Sequence, residues 1–154
     1  MPILDAKTVF AREVPLSGAS VGTVVKGSTT WSGAIISGTT AHPEYGMQIV
    51  DQEKAGDAVG QELTVKCVVG GTAAVGGTTA STVQFKLQTS DTTTDGDFQD
   101  LLLSPAIKVK DAIPGTELAC FRVPAGSKRY LRTTITVGGA TVTGVFSVYA
   151  TRDL

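Results

Sequence analysis

Residues 82–89 read T-V-Q-F-K-L-Q-T, so Val83, Phe85 and Leu87 alternate with Gln84, Lys86 and Gln88. Successive side chains of a strand point to opposite faces, which makes this run a strand with one apolar side and one wet side. Leu63–Val69 repeats the pattern, with Leu63, Val65, Cys67 and Val69 against Thr64 and Lys66. Val21–Val25, Trp31–Ile36, Met47–Val50, Leu118–Val123, Tyr130–Val137 and Val142–Ala150 read as further strands between Gly-, Thr- and Ser-rich turns. Leu101–Leu103 and Ile107–Val109 flank Pro105, the mark of a kinked edge strand or loop. Gly138-Gly139-Ala140 is a hairpin-sized turn between the last two strands. About eight strands at roughly 8–12-residue spacing predict an all-β sandwich or jelly roll.

The 154 residues suit a single domain, and 42% hydrophobic residues suffice to fill one core. The 18 glycines and abundant Thr and Val argue against long helices. Residues 1–20 read as an extended N-terminal arm, with Ile3, Leu4, Val9 and Phe10 as apolar anchors and Pro2, Pro15 and Gly18 interrupting any period. Two readings of the arm stay open: it packs on a neighbouring subunit, or it covers an edge of its own sandwich. The sandwich domain is then 21–154. Within it, 70–81 (G-G-T-A-A-V-G-G-T-T-A-S) reads as a flexible loop and Ser90–Gly96 as an acidic polar one.

The net charge of −1 conceals an asymmetry, because the acidic residues concentrate before residue 104 and the basic ones after it. Either the charges mix on the folded surface, or the opposed halves favour head-to-tail contact between copies. No basic run points to nucleic acid, and no apolar run reaches the ~18 residues that span a bilayer. The N-terminus lacks the pattern of a secretory signal. Cys67 and Cys120 both fall in strand-like segments, where buried free thiols are expected over a bridge between sheets.

Motifs for chemistry fail on context. Gly18-Ala19-Ser20-Val21-Gly22 is a literal G-x-S-x-G, but no helix pattern follows and residues 21–41, before the one histidine (His42), contain no acid. Gly22 and Gly27 have phosphate-loop spacing, yet Ser28 stands where that loop needs lysine. Asp91–Asp97 resembles the start of a calcium loop, but its twelfth position is Leu102 instead of a carboxylate. Trp31 reads as core packing, with sugar stacking as its alternative. Lys128, Arg129 and Arg132 bracket Tyr130, and the two arginines suit carboxylates on a neighbouring protein. The expectation is a non-enzyme with no cofactor, metal or small-molecule substrate.

Four stretches carry a resemblance: Ile3–Ala6 (I-L-D-A), Val83–Asp91 (V-Q-F-K-L-Q-T-S-D), Val123–Arg132 (V-P-A-G-S-K-R-Y-L-R) and Val137–Ala150 (V-G-G-A-T-V-T-G-V-F-S-V-Y-A). In this order they resemble the jelly-roll capsid cement, or decoration, proteins of tailed bacteriophages of the Bordetella-phage type. The resemblance implies a homotrimer on the outer capsid surface, made in the host cytoplasm, that clamps neighbouring major capsid subunits. The stretches 26–46 and 70–81 depart from the pattern in length and Gly/Thr content. Subunit or capsid contact is expected through Ile3, Leu4, Phe10, Arg129 and Arg132. The competing expectation is a carbohydrate- or receptor-binding β-sandwich of a tail or fibre.

Overall fold

A computed structural model describes residues 9–19, 22, 24–26, 46, 47, 49–51, 63–124 and 126–152. The strands run β1 (Val9–Ala19), β2 (Val24–Lys26), β3 (Gly46–Met47), β4 (Val50–Asp51), β5 (Leu63–Val69), β6 (Gly76–Gly77), β7 (Thr82–Ser90), β8 (Gln99–Leu103), β9 (Ile107–Lys108), β10 (Glu117–Arg122), β11 (Tyr130–Gly138) and β12 (Val142–Arg152). Two antiparallel sheets pack as a jelly-roll-like β-sandwich. The first has the order β10-β5-β12-β1-β3, with β6 also on β12; the second has β2-β11-β7-β8, with β4 on β11 and β9 on β7.

The alternation read in β5 and β7 sets the two inner faces. Val65, Cys67 and Val69 from the first sheet and Val83, Phe85 and Leu87 from the second are all buried. β11 pairs with β7 over its whole length, opposing Leu131, Thr133, Ile135 and Val137 to Thr89, Leu87, Phe85 and Val83. Phe85 and Phe146 then meet across the sandwich, edge to face, with ring centroids 6.2 Å apart. Each fully buried side chain of this size contributes roughly 1.5–3 kcal/mol.

The described part of the N-terminal segment pairs within its own sandwich. Val9–Ala19 is a strand of the first sheet, paired with β12 from Val9↔Tyr149 to Ala19↔Val142 and with β3 at Ala11 and Arg12. Register shifts between Val9 and Ala11 and between Ala11 and Val14 break the two-residue period, so the neighbours Phe10 and Ala11 are both buried along with Val14 and Leu16. Of the 1–20 arm, residues 1–8 lie outside the described residues, and so do Trp31–Ile36 and the Ser20–His42 pair.

Three further expectations change. Met47–Val50 is two short pairings, not one strand: β3 joins the first sheet through β1, and β4 joins the second through β11. The 70–81 stretch is tied down rather than loose. Val75 is buried, its N–H donates to the Ala112 carbonyl at 2.9 Å, and its carbonyl accepts from the Asp111 N–H at 2.9 Å. The Ser81 hydroxyl reaches the Thr141 carbonyl at 2.7 Å. Finally, β11 and β12 are not a hairpin. Gly138–Ala140 carries the chain from one sheet to the other, with Gly139 at φ 72°. A local turn signal specifies reversal but not which sheet receives the next strand.

The kinked edge strand is present. β8 and β9 both lie on β7, separated by Ser104, Pro105 and Ala106. At the gap the Ser104 N–H donates to the Phe85 carbonyl at 2.9 Å, and the Ser104 hydroxyl oxygen accepts the Phe85 N–H at 2.9 Å. The side chain thus replaces the ladder bond that the kink removes.

Candidate interaction surface

The outer face of the second sheet carries a connected polar row. Register places Arg132 beside Gln88 and Gln88 beside Asp100 across β11, β7 and β8. Arg132 Nε donates to Gln88 Oε1 at 2.8 Å, Gln88 Nε2 donates to Asp100 Oδ1 at 2.8 Å, and Lys86 Nζ lies 3.0 Å from Asp100 Oδ2. The other arm of Arg132 pairs with the Asp95 carboxylate and reaches the Asp95 carbonyl at 3.4 Å. Its guanidinium also covers the Phe98 ring. Hydrogen bonds from Gln88 and then Lys86 hold the Asp100 carboxyl below the usual carboxylate range.

Arg132 is therefore enclosed by its own chain, at 5% exposure. Arg129 makes a two-pronged pair with Asp51 of β4, with Nε and NH2 each 2.8 Å from a carboxylate oxygen, and half of its side chain remains exposed. Its guanidinium also lies 5.0 Å from the Tyr130 ring centroid. Phe10, expected at a neighbour contact, is fully buried in the sandwich core, because the bulged strand β1 turns it inward. Ile3 and Leu4 lie outside the described residues.

The charge asymmetry of the sequence resolves into internal pairs. Lys128 with Asp91, Arg129 with Asp51 and Arg132 with Asp95 each join a basic residue of the later half to an acid of the earlier one. The same pairs disperse the carboxylates of the would-be calcium loop. Asp91 faces Lys128, Asp95 faces Arg132, and Asp97 accepts from the Thr92 hydroxyl at 2.6 Å. A cleft of about 340 Å³ lies between this loop and Lys128. Among the described residues, no group of three or more His, Cys, Asp or Glu side chains is placed to hold a metal ion.

The two cysteines are free and lie on neighbouring strands of one sheet, not across two. Cys67 points into the core, and burial pushes its thiol pKa up. Cys120 is exposed, contrary to the expected burial, because β10 turns Phe121 inward and Cys120 outward. Exposed large apolar side chains among the described residues are Val24, Leu103 and Ile113. They stand on edge strands β2 and β8 and on the turn before β10, well apart along the chain. No described helix is long and apolar enough to cross a membrane.

What this arrangement offers is a rigid sandwich with a pinned, polar surface: a structural or binding module. Sequence reasoning singled out Arg132 but missed Asp95, Gln88 and Phe98 as its partners. Only the cross-strand neighbour Gln88 had a signal, in the matched alternation of β7 and β11. Among curated proteins, no relative matches this sequence. Residues 33–150 match the family described as Bbp16. That span covers most of the chain and takes in every strand from β3 through β11 and most of β12, so the chain belongs to the Bbp16 family.

Proposed function

We propose that the chain is a virion structural protein that binds the outer surface of a phage capsid as a homotrimer and cements neighbouring major capsid subunits. The observation that carries this reading is where the resembling stretches fall in the fold. Val83–Asp91 takes in nearly all of β7, Val123–Arg132 leads into β11, and Val137–Ala150 takes in most of β12. These are the strands on which both sheets are built, so the likeness to cement proteins lies in the frame of the sandwich. The pinned surface suits the role, since a ligand that binds only the assembled lattice stabilises it by mass action. An oligomer that bridges several subunits also raises effective concentration at each added site.

The test is addition of the purified chain to undecorated, expanded capsids, read by co-sedimentation and by the temperature at which the shells release DNA. Saturable binding with a raised release temperature is the expected result; no binding to any capsid form refutes the reading. Contact through Ile3 and Leu4 is part of the proposal. Deleting residues 2–8, which spares β1, is expected to lower capsid retention while leaving the thermal midpoint of the free protein unchanged. Arg129 is the other proposed contact, and Arg129→Glu is expected to reduce occupancy. Full occupancy by both variants removes these residues from the contact.

A further inference from the structure

Gly96 follows Asp95 in the loop between β7 and β8, the one Asp-Gly pair in a sequence that contains no asparagine. An aspartate before glycine is prone to a slow self-reaction, because glycine has no Cβ to shield its amide nitrogen from the neighbouring carboxyl carbon. The local structure leaves that nitrogen open. The Asp97 N–H closes the single turn Asp95–Asp97 onto the Thr94 carbonyl at 3.1 Å, while the Gly96 N–H has no acceptor among the described residues.

Arg132 holds the two reacting groups apart. Its guanidinium grips the Asp95 carboxylate through NH1 and reaches the Asp95 carbonyl through NH2 at 3.4 Å. One planar group thus fixes the side chain and the main chain of the same residue, and its own position is fixed by burial and by the Phe98 ring. The Asp95 side chain otherwise stands largely in water. We propose that Asp95–Gly96 is a modification site, where aspartate converts spontaneously to isoaspartate, and that Arg132 restrains the conversion.

The reaction needs only water. The Gly96 nitrogen attacks the Asp95 carboxyl carbon in its acid form, a C–N bond forms, and the amide hydrogen leaves with the carboxyl hydroxyl as water. Water then adds to one carbonyl of the five-membered imide. Opening at the former side-chain carbonyl restores aspartate, and opening at the main-chain carbonyl gives isoaspartate with no net change of mass. The ion pair with Arg132 exists only while the carboxyl is ionised, whereas ring closure needs it protonated and turned toward Gly96. Both steps require release from Arg132. In isoaspartate the backbone is one atom longer and both oxygens that Arg132 gripped are displaced, so the loop loses its tie to β11.

The full-length protein is aged in warm, mildly acidic buffer beside a synthetic peptide of residues 87–108, which is also the tryptic fragment. Isoaspartate is located by electron-transfer fragmentation, which separates residue 95 from Asp91, Asp97 and Asp100. Slow conversion at Asp95 is expected in the native protein, and faster conversion in the free peptide. Arg132→Ala is expected to convert about tenfold faster than the native protein, the rate equivalent of losing one charge-assisted hydrogen bond. Gly115→Ala, which strains a turn at φ 88° elsewhere in the fold, is expected to keep the native rate and so separates release of the clamp from general loosening. Gly96→Ala is expected to suppress the reaction, since its Cβ meets nothing within 4 Å and the fold accepts it.

No isoaspartate at residue 95 of the native protein or of Arg132→Ala, while the peptide converts, overturns the proposal. An Arg132→Ala rate equal to the native one, or matched by Gly115→Ala, overturns the restraint. If Arg132→Ala does not fold, a native rate equal to that of the free peptide does so as well. Capsid binding enters none of these readouts.

Discussion

The guanidinium carbon of Arg132 lies 4.1 Å from the centroid of the Phe98 ring, so one cation closes over an aromatic face while its two arms reach Gln88 and Asp95. Strand β11 is thereby fastened to the loop that leaves β7. Arg132→Ala removes the stacking and the charge-assisted hydrogen bonds together, and a loss of about 2 kcal/mol in urea unfolding is expected. Asp95 stays largely in water, which keeps the cost below that of a wholly buried pair. Arg132→Lys recovers little of the loss, because an ammonium reproduces neither the fork nor the flat stack. Recovery to within ~0.5 kcal/mol of the native value would refute this account.

Thr133 sits on the core face of β11 opposite Leu87, fully buried, and its hydroxyl has no hydrogen-bond partner among the described residues. Valine has the same shape without the unsatisfied group. Thr133→Val is expected to stabilise the protein by about 1 kcal/mol. A lower thermal midpoint for this variant would mean that the hydroxyl has a role which the geometry does not reveal.

Gly139 and Gly115 separate two causes of glycine requirement. Both have positive φ, at 72° and 88°, but a Cβ on Gly115 meets nothing within 4 Å while one on Gly139 collides with the Ala80 carbonyl. Gly115→Ala is expected to cost only the backbone strain, about 1–2 kcal/mol. Gly139→Ala forces the sheet-to-sheet crossing apart as well, and is expected to cost at least ~2 kcal/mol more, read as lost soluble yield or a far lower urea midpoint. Equal effects for the two would dismiss the collision.

Asp100 gives a signed pH dependence. Its folded pKa is depressed by Gln88 first and Lys86 second. A depressed carboxyl contributes stability that is present above its unfolded value, about 3.9, and is lost as pH falls through the folded value. The contribution is small, because the group is well exposed and solvent screens it. Gln88→Ala is expected to move the Asp100 titration upward toward the ordinary carboxylate range, followed by carboxyl-carbon NMR. An unmoved titration would leave Lys86 as the cause.

How far the sequence could be read depended on whether a signal was local. β5 and the β7 core face were legible because strict alternation persists for seven residues or more without a bulge. β1 was not, since its bulges place Phe10 and Ala11 inward together and erase the period. The turn at Gly138–Ala140 was legible as a turn, but the choice of sheet belongs to the whole fold. Arg132 stood out by its residue type, yet Asp95 lies 37 positions away and nothing near either residue announces the pair. The tethering of Val75 was hidden for the same reason, because its partners Asp111 and Ala112 come from a distant turn.

The pairing of β1 with β12 sets an order of events in the making of the protein. The first described strand has its longest partner in the last one, with Val9 against Tyr149, and β12 also carries β5. Until residues 142–152 emerge from the ribosome, β1 and β5 have no strand to join them, and Phe10, Val14 and Leu16 stay without their sheet. The nascent chain therefore completes its first sheet only after residues 142–152 have emerged, in one non-local closure. A truncated product cannot pass as a finished subunit, because what it lacks is the strand at the centre.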